Sequence, residues 1–311
     1  MVKMKILIFG AGEVGNLYKE YIKNNRKDIE IIGFIDNGAY GAENIFHPSE
    51  INKLQYDLLV IASIKNANIV AMRKQLDDLG VPEEKIYVLA SDSEIIKRIF
   101  IEENNTYDEN TDFRVAWLRA FSRYVKEMNL EGNVAECGVF KGEFSYYINK
   151  YFSNRKLYLF DTFIGFDTRD IEIERAFGNK NFLKGMFNNG CTFEFSDKEH
   201  SKIMLEDIVI AKMPHPEKCI IKKGYFPETA KGLDDKFCFV MLDMDLYQPI
   251  LEGLRFFYPK MCKGGAILIH DYFHPMLPGV KQAIIKFEEE IGDNLCKIPI
   301  GDECSMAIIK N

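Results

Sequence analysis

Residues 134–142 have the sequence VAECGVFKG, which joins the end of an apolar strand to a glycine-rich turn. Gly138 and Gly142 allow such a turn to stay close to the strand that precedes it. A helical pattern follows, and then a second apolar run, Lys156–Asp161, which ends in an acidic residue. A strand, a helix and a further strand in this order predict a parallel sheet whose faces are covered by helices.

The same pattern continues to the end of the sequence. Further strands are predicted at Cys219–Lys222, Phe237–Leu242 and Ala266–His270, followed by a last pair near Leu295–Pro299 and Ser305–Ile309. The last pair is too closely spaced for a helical crossover and predicts an antiparallel hairpin. Five parallel strands that end in a hairpin are the order expected of a class I methyltransferase sheet.

A second α/β pattern precedes this one. Its strands are predicted at Ile6–Phe9, Ile29–Ile35, Leu58–Ala62 and Ile86–Leu89, with helices between them. About four strands make a small, Rossmann-like sheet. We therefore expect an α/β protein with two doubly wound domains.

Polar segments separate these patterns. Residues 102–110 are polar and acidic and predict a linker or loop, after which a helix begins. The predicted organisation is a small nucleotide- or nucleotide-sugar-binding domain at 1–95, a helical linker at 96–130 and a methyltransferase domain at 131–311. Between about residues 168 and 214 the pattern is weak, which predicts an inserted lid or an oligomer contact.

The composition is that of an ordinary globular protein and excludes several classes of partner. The 311 residues include 40 Lys and Arg against 47 Asp and Glu, a net charge of −7, which argues against nucleic acid. No apolar run reaches the roughly 18–20 residues of a membrane helix. The 7 cysteines form no C-x-x-C pair, so we expect neither disulfides nor structural zinc, but the reduced thiols of a cytoplasmic protein.

The glycine turn and the acid after the next strand together predict a site for S-adenosylmethionine. The glycines leave room for its methionine tail, Glu136 can interact with its positively charged end, and Ser145 offers a hydroxyl. Asp161 can accept hydrogen bonds from both ribose hydroxyls. A turn glycine and a capping acid would explain either half alone. The candidate donor-binding residues are Glu136, Gly138, Gly142, Ser145, Asp161 and Thr162.

A second group of polar residues follows two later strands. Asp243 and Asp245 come after Phe237–Leu242, and His270 and Asp271 come after Ala266–Ile269. The carboxyl ends of adjacent parallel strands meet at one crevice, where carboxylates would repel each other without a cation. The oxygen ligands suit Mg²⁺ or Mn²⁺. The alternative is that the aspartates cap helices and that His270 bonds a backbone group.

The N-terminal pattern contains a complete G-x-G-x-x-G motif between a strand and a helix. Gly10, Gly12 and Gly15 form it, and Asp36 ends the next strand, where it can accept a ribose hydroxyl. The motif predicts a nucleotide, a nucleotide sugar or NAD as ligand. The alternative is a tight turn without a ligand.

Five ordered motifs over residues 112–310 resemble the macrocin-type sugar O-methyltransferase family. They are VAECGVFKG at 134–142, LFDTFIGF at 159–166, KGYFPET at 223–229, LDMDLY at 242–247 and HDY at 270–272. The resemblance implies a class I fold, S-adenosylmethionine, a divalent metal and a homo-oligomer. Its metal ligands carry over to Asp243, His270 and Asp271. The family usually has Asp-Asp-Tyr at the last motif, so His270 replaces one carboxylate.

The resulting hypothesis is a metal-assisted methyl transfer to a sugar hydroxyl. The cation makes the bound hydroxyl more acidic, Asp243 or Asp245 accepts its proton, and the oxygen attacks the methyl group in line. The sugar is a small-molecule acceptor, and we expect the first domain to hold the nucleotide end of a nucleotide-linked sugar. The alternatives are an O-methyltransferase for a phenol or another non-sugar metabolite, and a nucleotide-binding protein or oxidoreductase that uses the N-terminal motif.

Overall fold

The computed structural model describes residues 3–64, 66–101, 111–177 and 205–311. The chain forms two compact units, one of Met1–Asn104 with Glu194–Ile208 and one of Asn105–Phe193 with Val209–Asn311. We number the helices and strands of the described ranges in chain order and treat each unit by itself. None of the described helices has the length and apolar character needed to cross a membrane.

The first unit is a parallel sheet with the strand order β3-β2-β1-β4-β5. Its strands are β1 (Met4–Phe9), β2 (Ile29–Ile35), β3 (Ile45–Phe46), β4 (Leu58–Ile61) and β5 (Ile86–Val88). The sequence predicted four of them; the fifth, β3, has two residues, which are too few to show a pattern. The helices are α1 (Glu13–Asn25), α2 (Asn66–Asp78) and α3 (Ser93–Ile101). Helix α3 packs against α1. It therefore belongs to the first unit, although it extends beyond residue 95, the predicted end of the first domain.

The second unit has a seven-stranded sheet with the order β11-β12-β10-β9-β6-β7-β8. Its strands are β6 (Asn133–Cys137), β7 (Leu157–Asp161), β8 (Cys219–Lys223), β9 (Phe237–Leu242), β10 (Met261–Ile269), β11 (Cys296–Pro299) and β12 (Met306–Ile309). The first five are parallel, and β12 pairs antiparallel with both β10 and β11. The predicted sheet with a terminal hairpin is therefore confirmed.

Five described helices accompany this sheet, and one more helix includes residues of both units. They are α4 (Phe113–Glu127), α5 (Glu143–Tyr151), α6 (Thr168–Glu174), α7 (Leu205–Lys212), α8 (Tyr247–Phe257) and α9 (Pro278–Ile291). Asp112 caps α4, since its side chain accepts a hydrogen bond from the Arg114 backbone N–H. The predicted linker at 102–110 and most of the predicted insertion lie outside the described residues.

The core of the second unit explains why its strand ends are held firmly. All six residues of β9 are buried, and α8 and α9 pack against each other over the sheet. Phe257 of α8 contacts Phe160, Phe226 and Phe237. Each large side chain buried in this way contributes about 1.5–3 kcal/mol. The loops after β6, β7, β9 and β10 therefore start from fixed positions at one edge of the sheet.

Candidate functional site

The turn after β6 lies directly on the end of β9. Gly138 has φ +86°, and a Cβ at this position would overlap the carbonyl oxygen of Asp243. The Asp243 backbone N–H donates to the Cys137 carbonyl at 2.8 Å. Glycine is required here because a side chain would push the two strand ends apart. The first candidate of the donor site therefore lies beside the first candidate of the carboxylate cluster.

The Asp161 side chain is hydrogen-bonded to the same turn. Its Oδ2 accepts hydrogen bonds from the backbone N–H groups of Val139 at 2.7 Å and Phe140 at 2.9 Å, and its Oδ1 accepts one from Phe163 at 2.7 Å. Burial raises the pKa of this carboxyl, although the backbone donors oppose the effect. A carboxylate has about four lone-pair positions, and backbone N–H groups occupy three of them. The Thr162 side chain is a further partner, so ribose hydroxyls that bind here would replace existing partners.

Glu136 is buried beneath the turn, where the Ser145 hydroxyl donates to its Oε2. Burial raises the pKa of Glu136 well above its usual value, and the nearby charges of Asp243 and Asp161 add to the effect. Ser145 belongs to the first turn of α5, which starts after Gly142 at φ +78°. The predicted pair of Glu136 and Ser145 is thus in direct contact.

Thr162 has a local role in the turn that follows Asp161. Its hydroxyl donates to the Gly165 carbonyl at 2.5 Å and accepts from the Ile164 N–H at 3.3 Å. These bonds order the turn that carries Phe163, one of the three donors to Asp161. Of the six candidate donor residues, Thr162 contributes to the site through the backbone of this turn.

Three carboxylates meet where β9 and β10 end. One oxygen each from Asp243, Asp245 and Asp271 lies within 4.8 Å of the others. Asp245 and Asp271 both have φ +59°, a conformation that is rare outside glycine and is found at functional sites. The sequence-predicted metal and catalytic residues are therefore together at one sheet edge.

His270 lies between two of these carboxylates. Its Nδ1 is 3.0 Å from Oδ1 of Asp243 and 2.9 Å from Oδ2 of Asp271. Burial lowers the pKa of His270, but the two carboxylates outweigh burial and raise it to about 11. The two carboxylates thus favour the protonated imidazole, whereas a divalent cation at the same oxygens would favour the neutral form that can bind the ion.

The charges around Asp245 and Asp271 shift their pKa values in opposite directions. Burial raises the pKa of Asp245 well above its usual value, and Asp243 and Asp271 raise it further. Burial also raises the pKa of Asp271, but His270, Asp245 and the Cys304 thiol outweigh burial and lower it. Of these two carboxyls, Asp245 is consequently the one that holds a proton more readily.

The donor set fits a hard divalent cation. Three carboxylates within 4.8 Å offer oxygen ligands of the kind that Mg²⁺ and Mn²⁺ prefer. The raised pKa of Asp245 reflects burial and the neighbouring charges, which a divalent cation would offset. Asp243 and Asp271 would hold such an ion together with the neutral imidazole of His270, and Asp245 would lie beside it.

Two residues that the sequence did not single out support the cluster. The buried Glu174 of α6 accepts a hydrogen bond from the Tyr247 N–H at 2.7 Å, at the start of the helix that follows Asp245. Cys304 donates from its thiol to Oδ1 of Asp271 at 3.4 Å. Glu174 lies where the sequence pattern is weak and gives no signal. Cys304 lies in the hairpin turn that the register of β12 on β10 brings beside His270, and no local pattern in the sequence signals this contact.

The glycine motif of the first unit forms a similar turn with different surroundings. A Cβ on Gly15 would overlap the Gly10 carbonyl oxygen, whereas a Cβ on Gly12 would meet no atom within 4 Å. The Asp36 carboxylate accepts from the N–H groups of Ala11 at 2.9 Å, Gly38 at 2.8 Å and Ala39 at 3.0 Å. The four predicted residues are therefore joined in one turn, and Asp36 is engaged with its backbone.

The strand order and the glycine turn define the second unit as a class I methyltransferase, the class that uses S-adenosylmethionine. A family model described as Macrocin-O-methyltransferase (TylF) matches residues 110–301, and the chain belongs to this family. It is therefore an O-methyltransferase. A second model, described as C2185-like, N-terminal, matches residues 2–87.

The chain is similar to solved structures of methyltransferases. The O-methyltransferase NovP superposes with a TM-score of 0.51 at 18% identity, over 71% of this chain and 100% of NovP. The calicheamicin methyltransferase CalS11 gives a TM-score of 0.46 at 19% identity, over 77% of this chain and 90% of CalS11. No curated protein sequence matches the chain at a significant level. At this identity, the NovP match supports the architecture and not the acceptor.

Proposed function

We propose that the chain transfers a methyl group from S-adenosylmethionine to a hydroxyl of a sugar, with a divalent cation, Mg²⁺ or Mn²⁺, at Asp243, Asp271 and His270. The observation that carries the proposal is the meeting of Asp243, Asp245 and Asp271 beside the glycine turn of Gly138. Donor-binding and hydroxyl-activating groups then share one edge of the sheet, as a direct displacement between two substrates requires.

The donor is held by the turn after β6. Glu136 and Ser145 face the charged methionine end, and Asp161 accepts a ribose hydroxyl. When the ribose binds, one of the three backbone N–H groups on Asp161 gives way if both hydroxyls are to be accepted. Binding of the donor ribose to Asp161 thus changes the conformation of the Gly138–Gly142 turn.

The acceptor hydroxyl is activated by the carboxylate cluster. A bound divalent cation lowers the pKa of a hydroxyl that it coordinates and orients it. Asp245 accepts the proton, because its carboxylate lies within 4.8 Å of the proposed cation ligands Asp243 and Asp271 and is not itself one of those ligands. The deprotonated oxygen then attacks the methyl carbon opposite the sulfur, which leaves with its bonding electron pair.

The sugar acceptor is supported by the family, whose macrocin-type members methylate deoxysugar hydroxyls. A nucleotide-linked sugar or a glycan sugar is the class we propose. The family resemblance also supports assembly into a homo-oligomer.

The proposal is tested with the full chain, S-adenosylmethionine and a panel of nucleotide-linked sugars. We expect formation of S-adenosylhomocysteine and a methylated sugar, dependent on added Mg²⁺ or Mn²⁺ and lost with a chelator. The Asp245→Asn variant should lower turnover at least 100-fold. The matched control is Asp234→Asn, whose fully exposed side chain lies outside the site. Turnover of phenols and not of sugars would contradict the acceptor class.

A second candidate function concerns the first unit alone. The helix α1 starts at Gly12 without a side-chain cap, and the space beside Gly12 is open, so a phosphate can approach its N–H groups. We propose a nucleotide or nucleotide sugar as ligand, with NAD as the alternative. Calorimetry with the full chain and each ligand tests this, and binding of none of them would leave the turn a structural feature.

A further inference from the structure

A second group of metal-ligating side chains overlaps the carboxylate cluster. One donor atom each from His270, Asp271 and Cys304 lies within 4.8 Å of the others. The Cys304 sulfur is 3.4 Å from Oδ1 of Asp271, and the His270 Nδ1 is 2.9 Å from Oδ2 of the same residue. Nitrogen, oxygen and sulfur donors are thus gathered around one buried carboxylate.

Cys304 is held at this position by its backbone. Its N–H donates to Oδ1 of Asp302 at 3.0 Å, and its carbonyl accepts from the Phe273 N–H at 3.0 Å. The first bond orders the turn between β11 and β12, and the second ties that turn to the loop that follows Asp271. The thiol therefore approaches the carboxylate because the hairpin is fixed at two points.

We propose that His270, Asp271 and Cys304 bind a thiophilic divalent cation of the zinc type. Zinc binds imidazole, carboxylate and thiolate at about 2.0–2.3 Å in a tetrahedron, which places neighbouring donors about 3.3–3.6 Å apart. In the structure the Cys304 sulfur is 3.4 Å from Oδ1 of Asp271 and the His270 Nδ1 is 2.9 Å from Oδ2 of the same carboxylate. One donor atom of each residue lies within 4.8 Å of the others, so the three side chains are within reach of one cation. Three protein ligands leave one position for water, as in zinc sites that are not purely structural.

The site differs from the carboxylate cluster in the metal that it selects. Sulfur and imidazole ligands favour zinc and related transition metals, while an all-carboxylate set favours Mg²⁺. On binding, the Cys304 thiol and the His270 imidazolium release protons to solvent, and the cation takes their place. His270 and Asp271 are proposed ligands of both sites, so an ion at one site competes for ligands of the other. In this respect the inference rests on the proposed function and adds a means of regulating it.

Cobalt(II) provides the direct test because its complexes with thiolates absorb in the near ultraviolet. We expect the full-length protein to develop a thiolate-to-cobalt charge-transfer band on titration with Co²⁺, and Zn²⁺ to abolish it. Cys304→Ser should remove the band and weaken zinc binding at least 10-fold in competition with a chromophoric chelator. Cys296→Ser, in strand β11 of the same hairpin, is the matched control and should keep both.

A measurement on the unmodified protein does not depend on the folding of a variant. Zn²⁺ should slow the alkylation of Cys304 and not that of Cys296, followed by peptide mass spectrometry, and Mg²⁺ should protect neither thiol. Absence of the band, its persistence in Cys304→Ser, or equal alkylation with and without zinc would overturn the proposal. These readouts require no methyl transfer, so a failed zinc site and a failed methyltransferase assay give different results.

Discussion

The two glycine turns of this protein have the same hydrogen bonding and different surroundings. In each, an aspartate after the next strand accepts three backbone N–H groups, at 2.8–3.0 Å for Asp36 and at 2.7–2.9 Å for Asp161. Yet the pKa of Asp36 is lowered, because its three donors outweigh burial, while burial raises the pKa of Asp161. Burial by the surrounding protein thus decides the direction of the pKa shift, and the hydrogen bonding of the motif does not.

The strand ends next to the two turns differ even more. The β4 strand beside the first turn is followed by Ala62, Ser63 and Ile64, none of which is acidic or basic. The strands beside the second turn end in the cluster of Asp243, Asp245 and Asp271. A glycine turn with a strand-end acid can bind a nucleoside, and groups from other strands must supply the chemistry. Among the described residues, three carboxylates meet beside the second turn, whereas the strand beside the first turn leads into uncharged residues.

The largest effect is expected from a change in the carboxylate cluster beside the second glycine turn. Asp271→Asn removes one charge from the carboxylate cluster and should lower methyl transfer at least 1000-fold, about 4 kcal/mol of transition-state stabilisation. Donor binding should change by less than about threefold, because the donor is held by the turn after β6. Steady-state turnover and calorimetry with S-adenosylmethionine measure the two quantities.

Asp234→Asn serves as the control for charge removal, since its side chain is fully exposed. Circular dichroism of both variants excludes a folding defect. Turnover of Asp271→Asn close to that of the unmodified enzyme would end the metal-assisted mechanism and would make the two turns equivalent in function.

A smaller effect is expected on stability when a glycine of each turn is replaced by alanine, because the space around the two glycines differs. Gly138→Ala adds a methyl group against the Asp243 carbonyl at positive φ, and should destabilise the second unit by about 3 kcal/mol. Gly12→Ala meets no atom within 4 Å and should change stability by less than about 1 kcal/mol. Urea unfolding followed by circular dichroism compares them, and Trp117, the 1 tryptophan of the chain, reports on the second unit. Equal losses would show that the first turn is as tightly packed as the second.

The sequence predicted much of this architecture because strands, glycine turns and strand-end acids leave local patterns. Asp161 and Asp243 could be assigned to one sheet edge since parallel strands end together. The two-residue strand Ile45–Phe46 could not be predicted, because its pairing depends on the neighbouring strand. Nor could the contact of Cys304 with Asp271, which arises from the register of β12 on β10. Interactions that join distant segments are fixed by packing and leave little trace in the local sequence.

The third prediction concerns the ligands of the two turns. Asp161→Asn removes a charged acceptor from the proposed ribose site and should weaken S-adenosylmethionine binding about 10- to 100-fold. Asp36→Asn should act on nucleotide or NAD binding by the first unit and not on S-adenosylmethionine. Calorimetry with each ligand and each variant gives four affinities. Loss of S-adenosylmethionine binding in Asp36→Asn would contradict the assignment of the donor to the second turn.

The smallest effect is the pH dependence that the two aspartates give to stability. Because the folded-state pKa of Asp36 lies below its usual value of 3.8, its ionised form stabilises the fold at neutral pH, and this contribution is lost as the pH falls through the lowered pKa. Asp36→Asn should therefore lower the free energy of unfolding by less than about 1 kcal/mol at pH 7, given the partial exposure of the side chain, and by nothing at the acid end.

The contribution of Asp161 to stability has the opposite sign, because its raised pKa means that ionisation above pH 3.8 opposes folding. Carbon-13 NMR of labelled aspartate can follow both titrations in one sample of the ligand-free protein. If Asp161 titrated as low as Asp36, three backbone donors would be sufficient to set the pKa, and burial could not be what distinguishes the two turns.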